Sequence, residues 1–315
     1  MQENNNNKKS TGHRLLQVVA FIALVLAADL VVGKTLKYFY RRQSSGWEYA
    51  TRYSAEETKA DILIFGASRA QQQYIPTYFE DTLHLTGYNV GRDGTSFFYH
   101  YAMLQAVLKR YTPKVIILDC EYAALKNAAA SYDRLSVLLP LYDDHPEMRS
   151  TINLRSPFEK YKFTSAIYPY NSMMFKIAVA NLSSNKEEKE DIKGYMPLHK
   201  SLNEPIKTFD YTHPYELDTT KINLLRSFID QCKSRNIKLY LVCTPYYMKT
   251  TGRDHSLTVT QELAAEKNVP FIDYSADSFY FNRPQLFDDT VHLNMTGAKI
   301  FCADLAGKLK KDLQR

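Results

Sequence analysis

The chain has 315 residues, of which about 250 remain for folded domains once an apolar N-terminal stretch is set aside, and that length suits one α/β domain with an insertion or two small domains. Its formal net charge of +6 is mild and spread along the chain, which argues against the clustered basic face of a nucleic-acid-binding protein. The cysteines form no Cys-x-x-Cys pair, so a metal site is not expected. They lie in or beside apolar runs and are predicted to be buried thiols without a supported disulfide: Cys120, Cys232, Cys243 and Cys302.

The N-terminus is polar and basic over residues 1–14 and apolar over residues 15–33, close to the ~20 residues that span a bilayer. Asp29 is a charged defect near one end of this segment, where lipid headgroups can reach it. A cleaved signal peptide with its apolar core at residues 15–28 is one alternative, and a buried core helix is another. The length and the lack of amphipathicity favour an uncleaved transmembrane anchor.

Basic residues lie on both sides of the apolar segment, so the positive-inside rule does not decide its orientation. A basic start followed by one apolar segment and a long domain is typical of a signal anchor. The sequence therefore predicts a single-pass protein of the cell inner membrane. Residues 1–14 are expected in the cytoplasm and the main domain in the periplasm or outside the cell.

Residues 34–60 are expected to form a linker, and residues 61–315 a domain in which apolar strands alternate with helices. Such alternation indicates a mostly parallel, doubly wound sheet whose site lies at the carboxyl ends of the strands. A long, largely helical insertion interrupts the pattern at about residues 123–217 and is either a lid over the site or a packing excursion. The predicted strands are residues 61–65, 88–90, 114–119, 237–243 and 269–272.

The motif Gly66-Ala67-Ser68-Arg69 directly follows the first predicted strand. A serine at such a strand-to-helix turn exposes its hydroxyl at the edge of the sheet, and the N–H groups at the helix start favour developing negative charge. Gly66 suits a turn that a β-carbon would resist. Helix N-capping is the alternative role for Ser68.

A second motif, Asp289-x-x-His292, lies just before the closing helix, which Asn294 is expected to cap. A carboxylate three residues ahead of a histidine in a turn can reach its Nδ1 and leave Nε2 free to take a serine proton. A lone histidine is usually structural, but the pairing with Asp289 favours catalysis.

A third motif is the loop of residues 89–95, after the second predicted strand. Its glycine N–H groups are candidates to complete an oxyanion hole with the N–H of Ser68, and a plain glycine-rich turn is the alternative. The three motifs follow in order at three strand ends, and this conjunction favours a catalytic site.

This order of Gly-x-Ser, a Gly-containing block and Asp-x-x-His-x-Asn resembles the SGNH (GDSL-like) hydrolase superfamily over about residues 61–312. It is similar to the envelope-associated branch that includes DltD-like and alginate-acetylation-like proteins. The resemblance implies a flavodoxin-like three-layer α/β/α fold with a mostly parallel five-stranded sheet. It also implies Ser68 as nucleophile, His292 as base, Asp289 as the orienting acid, and Gly94 and Ser68 as oxyanion donors.

The sequence departs from that family at two motifs. The opening reads GAS in place of GDS, and the third block, Leu118-Asp119-Cys120-Glu121, lacks the asparagine expected as a further oxyanion donor. Removing one such donor typically costs about 2.7–4 kcal/mol of transition-state stabilisation. A different donor, a weak hydrolase, an acyltransferase and an inactive descendant are all compatible with this departure.

The sequence therefore predicts a serine esterase or O-acyltransferase that needs no metal or cofactor and acts on an acyl ester, expected to belong to a cell-envelope glycan. Tyrosines near predicted strand ends mildly favour a carbohydrate substrate, and Arg69 and Tyr246 are expected to contact it. The alternative is a catalytically inactive envelope protein of the same fold that binds or presents a glycan. The sequence names no partner protein and does not distinguish hydrolysis from transfer.

Overall fold

A computed structural model describes residues 3–182 and 191–314 of the chain. The described residues form two compact units. The anchor unit comprises the described parts of Met1–Gln43 and Ser156–Ser184, and the sheet unit comprises those of Ser44–Arg155 and Asn185–Arg315.

The strands are all in the sheet unit: β1 (Ile62–Phe65), β2 (Gly87–Asn89), β3 (Val115–Asp119), β4 (Lys207–Asp210), β5 (Lys238–Cys243), β6 (Met248–Thr251) and β7 (Phe271–Asp273). The helices of both units are, in chain order, α1 (Glu3–Arg42), α2 (Gly46–Glu56), α3 (Ser68–Gln73), α4 (Pro76–Leu83), α5 (Phe97–Arg110), α6 (Ala129–Asp133), α7 (Arg149–Ile152), α8 (Glu159–Lys162), α9 (Met174–Leu182), α10 (Thr219–Ser234), α11 (His255–Glu266), α12 (Ser278–Phe281) and α13 (Met295–Leu313). Short 3-10 turns occupy Arg134–Leu141, Pro146–Met148, Asn153–Arg155, Tyr168–Met173 and Pro284–Leu286.

The main sheet has five parallel strands in the order β2-β1-β3-β5-β7. Counted along the chain, this is the 2-1-3-4-5 order of flavodoxin-like sheets. The predicted fold class is therefore confirmed, and each of the five predicted strands is present. The strand order reverses between β1 and β3, which makes the carboxyl ends of these two strands the expected place for a ligand.

Alternating side chains of β1 face two helical layers. Ile62 and Ile64 belong to a buried cluster that also contains Phe301 and Leu305 of α13. Phe65 points to the other side, where its ring meets Phe228 of α10 edge to face at 5.6 Å between centroids. Since α3 and α4 pack with α13, and α5 packs with α10, the sheet unit has three layers.

A second sheet pairs β4 with β6 in parallel, and the sequence did not predict it. All four residues of β4 are exposed, so the segment lacks the apolar run from which the other strands were identified.

Residues 34–60 differ from the expected linker. Helix α1 continues to Arg42, and α2 follows after a short break and packs against α5. The buried residues of α2 are mostly polar, and one of them, Glu48, forms an ion pair with Arg92 at 3.0 Å. Polar burial of this kind leaves no apolar periodicity in the sequence, which is why the helix was missed.

The described residues of the predicted insertion, about 123–217, are divided between the two units. Lys126 and Leu217 form an antiparallel bridge, so the two ends of the insertion meet within the sheet unit. Its described central part, residues 156–182, belongs to the anchor unit. Neither the lid nor the packing alternative anticipated this division.

The cysteines are free and buried, as predicted: Cys120, Cys232, Cys243 and Cys302.

The packing of α13 on the sheet gives a stability prediction. The fully buried ring of Phe301 contacts Tyr74 and Tyr274 edge to face at 5.1 and 5.2 Å between centroids. Phe301→Ala should lower the free energy of unfolding by about 3–5 kcal/mol, because it removes apolar contacts and leaves a cavity. Its neighbour Ile300 is 38% exposed, so Ile300→Ala should change stability by less than about 1 kcal/mol. Thermal and denaturant unfolding of both variants in detergent would measure the difference, and equal losses would contradict this packing.

Candidate active site

Ser68 is the first residue of α3, three residues after the end of β1. Gly66 between them has φ of +152°, and a β-carbon there would lie 2.5 Å from the Cβ of Ala70 and 2.9 Å from the Cβ of Asp119. Only glycine allows β1, β3 and α3 to approach this closely. The turn brings Ser68, which is half-buried, to the carboxyl edge of the sheet, where the first N–H groups of α3 lack intrahelical partners.

The structure brings Ser68, His292 and Asp289 together, although 224 residues separate the serine from the histidine. The distance from Ser68 Oγ to His292 Nε2 is 2.9 Å, and that from His292 Nδ1 to Asp289 Oδ2 is 2.8 Å. With the Nδ1 proton donated to Asp289, Nε2 is an acceptor for the serine hydroxyl. This is the tautomer that a general base for serine requires.

Asp289 is held as a carboxylate by three donors. Its Oδ1 accepts the N–H groups of Val291 at 2.8 Å and His292 at 2.9 Å, and its Oδ2 accepts the imidazole N–H. Partial burial alone would raise the Asp289 pKa, but these hydrogen bonds and the charge of His292 outweigh it and lower the pKa below its ordinary value. Asp289 therefore orients the ring as an anion.

The loop that carries this pair is tied to its surroundings through its backbone. Gln73 of α3 donates to the carbonyl of Val291 at 3.0 Å, and the N–H of Tyr247 donates to the carbonyl of Thr290 at 2.9 Å. Asn294 caps α13 as predicted, accepting the N–H of Gly297 at 3.1 Å. The side chain of Gln73 thus links the serine helix to the histidine loop, a connection that sequence spacing does not reveal.

Arg69 and Tyr246, which were expected to contact substrate, lie inside the protein and are 2% and 3% exposed. The guanidinium of Arg69 donates to the hydroxyl and carbonyl of Thr244, at 2.7 and 2.6 Å, and lies 3.5 Å from the ring centroid of Tyr246. Its Nε is 3.8 Å from Asp119 Oδ2. Arg69 thus joins the start of α3 to the ends of β3 and β5, which is a positioning arrangement and leaves the side chain no path to a substrate here.

The predicted glycine-rich loop is bound to α3. The side chain of Asn89 donates to the carbonyl of Ala70 at 2.7 Å and accepts the N–H of Gly91 at 2.9 Å. The N–H of Gly91 is therefore already used in a hydrogen bond within the protein. Gly94 has φ of +69°, and the space that a β-carbon would fill there is open. Of the two glycines, Gly94 has the more accessible backbone.

The third block places two carboxyl groups at the end of β3. Asp119 is buried and accepts the hydroxyl of Tyr74 at 2.8 Å. Glu121, two residues further, is only half-buried. Burial raises the pKa of Glu121 to about 7, with the charge of Asp119 adding to the rise, while Arg69 and His292 oppose it. Sequence reasoning recorded only the missing asparagine here and overlooked this carboxyl within electrostatic range of His292.

In the described ranges, no group of three or more His, Cys, Asp or Glu side chains is arranged to hold a metal ion.

No family model and no curated protein matches the chain. Several solved structures resemble it. A psychrotrophic esterase from Pseudoalteromonas sp., inhibited by monoethylphosphonate, is 10% identical, with 81% of this chain and 98% of that one covered at a TM-score of 0.42. A lipase/acylhydrolase from Enterococcus faecalis is 12% identical, with coverages of 80% and 95% and a TM-score of 0.39. A GDSL-like lipase from Bacteroides thetaiotaomicron is 12% identical, with coverages of 84% and 98% and a TM-score of 0.38. Identities and TM-scores this low assign neither a family nor an activity, so the chemistry must be judged from the side chains.

The raised pKa of Glu121 gives a prediction about stability and pH. A carboxyl whose pKa is raised in the folded state lowers the free energy of unfolding when it ionises. The free energy of unfolding therefore falls as pH rises from the ordinary pKa of a glutamate to about 7, and the decrease stays constant at higher pH. Glu121→Gln should therefore have a higher Tm than the unchanged protein at pH 8.5 and a similar Tm at pH 4.5. The exposed Glu216→Gln is the matched control for removing a surface carboxyl. A Glu121→Gln difference that is equal at both pH values would contradict the shift.

Proposed function

We propose that the chain is a serine esterase or O-acyltransferase of the SGNH type, with Ser68, His292 and Asp289 as its catalytic triad. One observation carries the proposal. The hydroxyl of Ser68 lies 2.9 Å from the acceptor nitrogen of His292, whose other nitrogen donates to a carboxylate. Hydrogen-bond reach between a nucleophile and a base that a third group orients is the geometric signature of an activated serine.

In the proposed mechanism, Ser68 Oγ attacks the carbonyl carbon of an ester while His292 Nε2 takes the hydroxyl proton. The tetrahedral intermediate collapses, its ester C–O bond breaks, and His292 returns the proton to the departing alcohol. Water or an acceptor hydroxyl, deprotonated by His292 in turn, then attacks the acyl carbon. The bond from the acyl group to Ser68 Oγ breaks, His292 returns the proton to Oγ, and the acid or the new ester departs. Asp289 stays ionised throughout and stabilises the imidazolium.

The N–H groups of Ser68 and Gly94 are the proposed donors to the oxyanion. The helix start at Ser68 and the open backbone at Gly94 support this assignment. The third block of this chain supplies no amide side chain, and Glu121 lies at that place instead.

An acylated cell-envelope glycan is the proposed substrate class. Tyr122 and Tyr211 are half-buried near the ends of β3 and β4, and their rings lie 5.2 Å apart. Aromatic faces of this kind suit sugar rings. Tyr246 stacks beneath Tyr122 at 4.3 Å and supports that face rather than presenting its own.

The alternative, an inactive glycan-binding protein of the same fold, has no need for a proton-accepting histidine on Ser68. The intact hydrogen bond between these two side chains therefore favours the enzyme.

A single-pass anchor in the cell inner membrane, with the sheet unit in the periplasm or outside the cell, completes the proposal. Within the described part of the chain, Gly12–Arg42 is the one helix long and apolar enough to cross a membrane, and its most apolar window is not buried.

Variants of the triad test the mechanism. Ser68→Ala and His292→Ala should each lower single-turnover acylation by an activated small ester roughly 10⁴-fold or more, because serine is a poor nucleophile without its base. The double variant should be little worse than either, since the two side chains act as a unit. Asp289→Asn should be damaging but milder, because it keeps the shape while favouring the wrong imidazole tautomer.

Circular dichroism should first establish that each triad variant is folded. His255→Ala is the matched control, since this exposed histidine begins α11, packs its ring against Tyr215 and should leave the rate unchanged. If His292→Ala kept most of the original rate, the triad assignment would be wrong.

The proposed membrane orientation gives a further prediction. Alkaline phosphatase fused to the C-terminus should be active in cells, because the sheet unit is proposed to be outside the cytoplasm. Green fluorescent protein at the same site should be dark. Bright fluorescence without phosphatase activity would reverse the proposed orientation.

A further inference from the structure

The anchor unit satisfies a charge within its apolar helix. Asp29 lies inside the apolar residues 15–33 of α1. Its Oδ1 accepts the hydroxyl of Ser165 at 2.5 Å, and its Oδ2 accepts the N–H of Ala166 at 2.6 Å. The N–H of Ile167 adds a longer bond at 3.4 Å. A carboxylate at this depth is costly unless donors satisfy it, and the insertion supplies them from 136 residues away.

The contact continues along one stripe of α1. A β-carbon at Gly33 would lie 2.4 Å from the carbonyl carbon of Ala166, so this crossing requires glycine. Further along, Leu36 and Tyr40 pack in a cluster with three residues of the insertion: Tyr170, Met173 and Ile177. Positions 29, 33, 36 and 40 share one face of a helix. Residues 156–182, here called the excursion, are therefore built to dock on this face.

The position of the excursion relative to the bilayer follows from which residues of α1 are exposed. The apolar residues 15–28 are exposed on every side, and at 1.5 Å per residue they extend for about 21 Å, roughly two thirds of a hydrocarbon core. The excursion begins to cover α1 at Asp29, while Leu30 and Val31 beside it remain 52% and 65% exposed and apolar. On the proposed anchoring by α1, the docked segment lies where the helix leaves the bilayer.

The excursion itself exposes large apolar side chains at this boundary. Phe175 is 81% exposed, Phe158 64% and Tyr161 60%. Aromatic side chains are favoured among lipid headgroups and unfavourable in open water. Lys160, beside Tyr161, adds a positive charge that suits anionic headgroups.

We propose that the excursion is a second membrane-contacting element, docked on the exit end of α1 through Asp29 and Gly33, with Phe158, Tyr161 and Phe175 among the lipid headgroups. The inference rests on the proposed anchoring by α1 and goes beyond the ester chemistry. In this arrangement the hydrogen bonds that Asp29 accepts from residues 165–167, here called the latch, hold the excursion on α1.

Fluorescence quenching by lipids tests the proposal in the full chain. Trp47 is the only tryptophan, so Trp47→Phe provides a dark background. On this background Phe175→Trp is reconstituted in phosphatidylcholine–phosphatidylglycerol vesicles whose acyl chains carry bromine at shallow or deep positions. The Phe175→Trp emission should be blue-shifted and quenched more strongly by the shallow bromines. Val25→Trp in α1 is the deep reference, and Phe209→Trp in β4 is the matched sheet-unit control and should stay unquenched.

The outcomes separate the two proposals. If Val25→Trp is quenched and Phe175→Trp is not, the anchor holds and the inference about the excursion is overturned. If Val25→Trp is also unquenched, the anchoring fails first and the inference falls with it. Equal quenching at Phe209→Trp would mean unspecific adsorption and would likewise overturn the inference. Triad acylation is measured separately and depends on none of these results.

The latch has a test of its own. Asp29→Leu should weaken the shallow quenching of Phe175→Trp while the deep quenching of Val25→Trp is unchanged, because the leucine cannot accept the bonds of residues 165–167. Asp29→Asn keeps one acceptor oxygen and should be intermediate. Unchanged quenching of Phe175→Trp in Asp29→Leu would refute the latch.

Discussion

The close approach of β1, β3 and α3 at Gly66 is the constraint on which the rest of the site depends. Any β-carbon at this position would collide with the side chains of Ala70 and Asp119. Because glycine removes that collision, α3 starts directly behind the strand, with Ser68 in its first turn. The serine then faces the histidine loop with the backbone donors of a helix start beside it, at the point where the strand order of the sheet reverses.

A buried ion pair next to the serine, Arg69 with Asp119, holds α3 against the ends of the strands. Arg69 and Asp119 are both almost inaccessible to solvent, and burying such a pair costs several kcal/mol unless hydrogen bonds compensate. Thr244 and Tyr74 provide part of those bonds, while Arg69 Nη1 and Asp119 Oδ2 are buried without a hydrogen bond to the described residues, and the group connects α3 with the ends of β3 and β5. Hydrophobic residues would pack there at lower cost. The retained charges are consistent with a fixed direction for the first turn of α3, and therefore for the serine hydroxyl.

Much of the sheet and the candidate triad follows from sequence because the signals are local or ordered. The main strands are short apolar runs, and the Ser68, Asp289 and His292 motifs each lie next to a predicted element whose position in a parallel sheet is known. Other features depend on partners that sequence does not pair. Arg69 was expected to contact substrate, but its buried guanidinium binds Thr244, which is 175 residues away and which the sequence does not pair with it. Helix α2 was read as a linker because it buries polar side chains such as Glu48. Asp29 was read as a defect near the headgroups, whereas its donors come from the insertion.

The central claim is that Ser68 is an activated nucleophile, and covalent labelling of the purified full chain by a fluorophosphonate tests it most directly. Mass spectrometry of the digested protein should locate one phosphonate adduct on Ser68, and the adduct should be lost when His292 is replaced by alanine. An adduct on a different serine, or no adduct on a folded protein, would contradict the account.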